Sequence, residues 1–240
     1  MIYVVQHNDD FFVPLSEGYK IIGVGNKFED DGRDNINYLN PYINEATALY
    51  DIWKNCNDEV VGLNHYRRIF LYLNKHDYIF NLSFDKAKDM VKDNKIICTG
   101  FHDLGNNTIY NYLKYCFQIS SPHVIKTYDK YIDKLESIDN NIVKYLKTRN
   151  GFIARNMFVA RKEVIDKYCQ WLFSFIIPLT EEFIMKDLEN VEPFGKFSGQ
   201  ERMLGHFIER IFSYWLECVY GCNKDNLITL NYITYSNSEE

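Results

Sequence analysis

Short runs of β-branched residues alternate along this chain with longer stretches whose apolar residues recur at helical spacing. Few folds accept that pattern, because strands joined through amphipathic helices close into a mainly parallel sheet with helices on its faces. Residues 2–5, 20–24, 60–63 and 96–99 read as strands, and the first, third and last as neighbours in one sheet. Residues 152–160 read as a further strand. Asn40 and Pro41 have the chemistry of a helix start, and Ile43, Ala46, Leu49 and Trp53 continue it to about residue 54. Further helices are expected near 84–92, from Ser121-Pro122, over 162–177 and over 199–217. The stretches around 100–120 and 180–198 read as irregular and site-forming, and the final Ser-Asn-Ser-Glu-Glu as a frayed tail. The fold class that follows is α/β, a Rossmann-like, mainly parallel sheet flanked by helices.

Composition narrows the chemistry. The formal net charge is −6, so no broad surface for nucleic acid is expected, and any positive charge that matters must be local. The six cysteines include no C-x-x-C pair and read as thiols of a reducing cytoplasm. The chain begins almost at once with a strand, so no signal peptide is expected, and no apolar run approaches a membrane span. G-x-G-x-x-G, Walker A, G-x-S-x-G and Asp-x-Asp metal motifs are absent.

The most informative segment is Gly62-Leu63-Asn64-His65-Tyr66-Arg67-Arg68, in which a buried-type strand runs into polar groups. Ligands of open α/β sheets gather beyond the carboxyl ends of strands, and the polar loop from His7 leaves the first strand at a similar point. Two arginines there suit a diphosphate, or else each meets a protein carboxylate at a sheet edge. In extended chain they point to opposite faces, so one alone reaches the ligand. The loop around Asp34 and Asn35 offers groups for a sugar, a base or a cation, and equally reads as turn chemistry. Ser198 with Glu201 is a capping-box pair, which leaves Arg202 the better ligand candidate. Glu209 and Arg210 read as a solvated pair or as groups aimed into a cleft.

The strings IYVVQH, DNIN, LNPYINEATALYDIWKN, GLNHYRRIF, NMFVARKEVIDKYCQWLF and ERMLGHFIERIFSYWL occur in that order. Together they resemble a family labelled as a domain of unknown function, whose members are described as capsular-polysaccharide, exopolysaccharide or lipopolysaccharide glycosyltransferases. The resemblance runs from residue 2 to about residue 217. It implies a GT-A-like glycosyltransferase domain over 1–240, with about 1–100 on the nucleotide-sugar side, about 101–220 on the acceptor side and 221–240 a tail. The matching positions are Asp34, Asn35, Asn40, Glu45, His65, Tyr66, Arg67, Arg68, Asn156, Arg202, Gly205, Glu209 and Arg210. In the expected roles, Asp34 or His65 is the base or a sugar contact. Asn35, Tyr66, Arg67, Arg68 and Arg202 hold the donor, and Asn156 and Glu209 stand on the acceptor or structural side. The implied donor is a UDP-linked sugar, galactose or galactofuranose, and the acceptor a growing surface polysaccharide or lipid-linked glycan. The implied setting is the cytoplasm, with peripheral association at the inner face of the membrane. A divalent cation, manganese or magnesium, stays open beside arginines that replace it. The rival expectation is a non-catalytic glycan- or nucleotide-binding protein that keeps the fold. Two departures bear on it: Cys116 stands near the family's usual histidine, and Arg33 replaces the glycine of a Gly-Asp-Asn motif.

Overall fold

The computed structural model describes residues 1–9, 13–120, 122–184 and 203–235. At its centre is a sheet of six strands: β1 (Ile2–Gln6), β2 (Tyr19–Gly23), β3 (Val60–His65), β6 (Ile96–Cys98), β9 (Phe158–Arg161) and β10 (Leu227–Thr229). Their spatial order is β10-β6-β9-β3-β1-β2. β1 pairs in parallel with β2 and β3, and β6 with β10, whereas β9 is antiparallel to both of its neighbours. β1 and β3 are adjacent as expected. β6 belongs to the same sheet but not beside β3, because β9 inserts between them.

One face of the sheet is covered by helices. These are α2 (Ala46–Asn55), α5 (Pro122–Ile138), α6 (Asn140–Thr148), α7 (Lys162–Leu179) and α8 (Met203–Tyr214). In α7 the buried residues Val164, Ile165, Tyr168, Leu172, Phe175, Ile176 and Leu179 recur at three- and four-residue steps. Each such large apolar side chain contributes roughly 1.5–3 kcal/mol on burial. Asp139 caps α6, its carboxylate accepting from the Asn141 N–H at 2.9 Å. The other face packs against β4 (Arg68–Leu73) and α3 (Phe84–Met90) through Ile69, Phe70, Leu82 and Ala87, while β5 (Ile79–Asn81) pairs with β4 and is exposed. No helix among the described residues is long and apolar enough to cross a membrane.

Four local expectations change. The first long helix is broken, because a short turn α1 (Asn40–Ile43) ends at Asn44, whose φ of 52° is left-handed, and α2 starts afresh at Ala46. Asn40 is therefore no simple cap; its amide donates to the Asn44 carbonyl at 3.0 Å and to Thr47 Oγ1 at 2.9 Å, bridging the break. The strand expected over 152–160 is two, β8 (Gly151–Ile153) and β9, separated by a left-handed turn. β8 pairs instead with β7 (Phe101–Asp103), and the stretch after β7 holds a regular helix, α4 (Ile109–Ser120). Finally, the segment after 221 is built into the fold: β10 extends the main sheet, and β11 (Tyr232–Thr234) pairs antiparallel with β4. Residues 236–240, with the expected frayed tail, lie outside the described residues, as do Ser198, Glu201 and Arg202.

Candidate functional site

β1, β2 and β3 run in parallel, so their carboxyl ends open on one edge of the sheet, and a cleft of about 290 Å³ lies there. Val5 and Val24 come from the first two strand ends, and His65, Tyr66, Arg67 and Arg68 from the third. Asn40, Asn44 and Glu45 enter from the break between α1 and α2, and Gly205, His206 and Glu209 from α8. The backbone turns at Tyr66-Arg67 and returns as β4. That turn corrects the extended-chain expectation, since Arg67 and Arg68 both line the cleft. The Tyr66 ring lies between His7 and His65, with centroids 4.8 and 4.4 Å away.

Three guanidinium groups converge here, from Arg67, Arg68 and Arg155. Neither Arg67 nor Arg68 pairs with a carboxylate among the described residues, and the Nε of each is buried without a partner. Burial pushes the Arg68 pKa down, and repulsion from Arg155 and then Arg67 adds to it. Arg155 belongs to the turn between β8 and β9, where it has φ 83° and Asn156 φ 45°. Glu209 and Glu45 hold this turn. The Arg155 backbone N–H donates to Glu209 Oε1 at 2.5 Å, and the Asn156 amide to Glu45 Oε1 at 3.3 Å. Glu209 Oε2 accepts from Arg210 at 2.8 Å, and Arg210 lies over the Phe152 ring at 4.5 Å. Glu209 and Arg210 are thus a largely buried pair at the cleft wall rather than a solvated one.

Several expected residues sit elsewhere. Asp34 is exposed, accepting from the Tyr50 hydroxyl at 3.1 Å, and does not line the cleft. The Asn35 side chain is used in its own turn, accepting from the Asn37 N–H at 3.1 Å and donating to the Arg33 carbonyl at 3.0 Å. The cause is Arg33, whose Nε reaches both carboxylate oxygens of buried Asp51 at 3.0 and 3.1 Å and draws the loop onto α2. A larger hollow of about 480 Å³ lies beside that loop, lined by Tyr3, Lys20, Lys27, Arg33 and Asp51. Its two partly buried cations are matched, Arg33 by Asp51 and Asp31 and Lys27 by Asp9, and Lys20 is exposed, whereas the smaller cleft holds arginines whose buried Nε groups meet no acid among the described residues. Cys116 is half-buried on α4 and does not line the cleft. It stands by Tyr112, whose hydroxyl pKa is raised by burial and then by that thiol.

Arg155, His206 and Tyr232 escaped the sequence reading. For Arg155 a signal existed, a cation beside Asn156 within the otherwise apolar run of residues 152–160. Tyr232 had none, because its partners are distant in sequence: its hydroxyl accepts from Arg155 Nε at 3.0 Å, and its ring lies 6.0 Å from the Arg68 Cζ. A recess of about 400 Å³ adjoins the cleft, shares His7 and Asn40 with it, and is lined further by Gly25, Asn26, Asn37 and Tyr38. Among the described residues, no three of His, Cys, Asp and Glu converge as a cation site needs.

The apo structure of the WbbM bifunctional glycosyltransferase shares this architecture, with a TM-score of 0.73 and 22% sequence identity over 98% of this chain. That likeness shows a glycosyltransferase-like fold. This chain covers 45% of the WbbM chain, less than half its length. No curated protein sequence matches this chain. The model of the family described as a domain of unknown function, DUF4422, matches residues 1–220, and the chain belongs to that family.

Proposed function

We propose that this chain transfers a glycosyl group from a nucleoside-diphosphate sugar to a glycan acceptor, with the donor diphosphate against Arg67, Arg68 and Arg155. The observation that carries the reading is that Arg67 and Arg68, whose Nε groups are buried and unpartnered, both line a cleft at the carboxyl ends of parallel strands. A cation taken from water without a counter-charge is costly, and an anionic ligand removes that cost. Diphosphate oxygens match planar guanidinium forks two at a time. The recess reached through His7 and Asn40 has room for the nucleoside, with the His7 and Tyr38 rings for a base and the Asn26 amide for its polar edge, while the Asn37 amide holds the Gly25 backbone.

In the transfer, an acceptor hydroxyl oxygen bonds to the anomeric carbon and the carbon–oxygen bond to the diphosphate breaks. The electron pair leaves on the diphosphate, where the arginines stabilise the growing charge. The acceptor proton passes to a base. His65 lines the cleft and takes that role in this reading, whereas Asp34 does not line it and accepts from Tyr50. Both Glu209 oxygens are engaged, so Glu209 and Asn156 shape the acceptor side by holding the Arg155 turn. The donor is UDP-linked in this reading, its sugar galactose or galactofuranose. The acceptor is a growing surface polysaccharide or a lipid-linked glycan at the inner face of the membrane. UDP-galactose and UDP-galactofuranose, offered without acceptor, test the proposal through release of UDP. Slow release at a rate above the protein-free control is expected. Tight binding with no release, with or without glycan acceptors, would instead make the chain a nucleotide-sugar-binding protein.

A further inference from the structure

β11 lies beyond residues 1–220 matched by the family model, yet β11 and Tyr235 just after it reach all three arginines of the cleft. The Tyr235 N–H donates to the Arg67 carbonyl at 2.8 Å, and Thr234 stands opposite Arg68 in the β4–β11 register. Tyr232 is closer to the chemistry. Its hydroxyl accepts from Arg155 Nε at 3.0 Å while its ring lies 6.0 Å from the Arg68 Cζ. No other side chain among the described residues bonds the Arg155 guanidinium. That side chain is exposed and rises from a backbone at φ 83°, so without its one anchor it would sample many rotamers. Anchoring Nε alone leaves the two terminal nitrogens, the edge of the fork that meets a pair of phosphate oxygens.

We infer that Tyr232 is the positioning residue of the arginine cluster, its hydroxyl aiming the Arg155 fork into the cleft and its ring supporting Arg68. The inference rests on the reading above, that the cleft takes a nucleoside diphosphate. Tyr232 is half-buried and its ring packs against the apolar cluster of Ile69 and Phe70, so the hydroxyl is the part that can be removed with the packing kept. What its removal changes is the ordering cost of Arg155, which then falls on ligand binding.

The test is a calorimetric titration of the full chain with UDP, run in parallel with inorganic pyrophosphate. Tyr232→Phe keeps the ring and the strand pairing and removes only the hydroxyl. Its UDP affinity is expected to fall about fivefold, the worth of one intramolecular hydrogen bond, with the unfolding midpoint unchanged. In Arg155→Ala the same Phe substitution is expected to have no further effect, because the hydroxyl acts only through Arg155. Native-like UDP affinity in Tyr232→Phe, or losses that add in the double variant, would overturn the inference while leaving the proposed function in place. If the native chain binds neither UDP nor pyrophosphate, the reading of the cleft fails and takes the role of Tyr232 with it.

Discussion

A guanidinium inside a protein ordinarily meets a carboxylate, and Arg33 shows the rule in this chain through its bonds to Asp51 and Asp31. Arg67 and Arg68 depart from it, each with a buried Nε and no acid partner among the described residues. If a diphosphate supplies the missing charge, Arg68→Ala weakens UDP binding by about 1.5–3 kcal/mol for each charged hydrogen bond lost. Arg68→Lys recovers only part, since an ammonium keeps the charge without the planar fork. Titration of both variants with UDP checks this, and full recovery by lysine would mean that geometry is irrelevant there. Asp34→Asn makes the opposite test. Its carboxylate meets Tyr50 outside the cleft, so donor turnover is expected to stay within a few fold of native. The Asn64–Arg68 segment was legible in sequence because a buried-type strand ending in two cations has few explanations. Asp34 misled because the direction of its loop is set by the Arg33–Asp51 pair, a contact across 18 residues that local pattern does not carry.

Among the elements, those with strong periodicity were the legible ones: α7 and α8 by their apolar stripe, β1 and β3 by their continuous β-branched runs. The breaks were not. Asn44 leaves the helical region between two stretches that read as one helix, and the reason is tertiary: α8 passes so close that Gly205 has no room for a side chain. A Cβ on Gly205 would fall 1.9 Å from Asn44 Nδ2 and 2.6 Å from its Cγ, and Asn44 is buried. Gly205→Ala therefore forces α1 and α8 apart and is expected to destabilise by about 1–3 kcal/mol, read from the denaturant midpoint. An unchanged midpoint would show that the contact yields freely. The Arg155-Asn156 turn was hidden for a similar reason, since Glu209 on α8 and Glu45 in the break before α2 hold it from remote parts of the chain. β10 and β11 were hidden because three-residue strands carry little pattern and their partners lie more than a hundred residues earlier.

For the whole molecule, the acidic balance and the cationic cleft act in opposite directions. A chain of net charge −6 repels an anionic donor at long range, so binding depends on the short-range arginine cluster and on its being rigidly built into the fold. The cluster joins remote parts of the chain, Arg67 and Arg68 after β3, Arg155 before β9 and Tyr232 on β11; the central sheet pairs β3 with β9, and β4 pairs with β11 in the sheet packed beside it. Filling the cleft should therefore stabilise the molecule as one body. A ligand at a hundred times its dissociation constant adds about 2.7 kcal/mol. For a chain of this size that corresponds to a rise in Tm of roughly 5–10 °C. One cooperative transition is expected on heating, and UDP should move all of it; two transitions, only one of them shifted, would divide the chain into separate units. The double variant Arg67→Ala/Arg68→Ala should keep the single transition and lose the shift. A chelator separates the arginines from an ion, because guanidinium groups that carry the diphosphate leave the UDP shift unchanged in its presence. Loss of the shift in chelator and its return with manganese would make an ion the carrier of the phosphate charge, with the arginines in support.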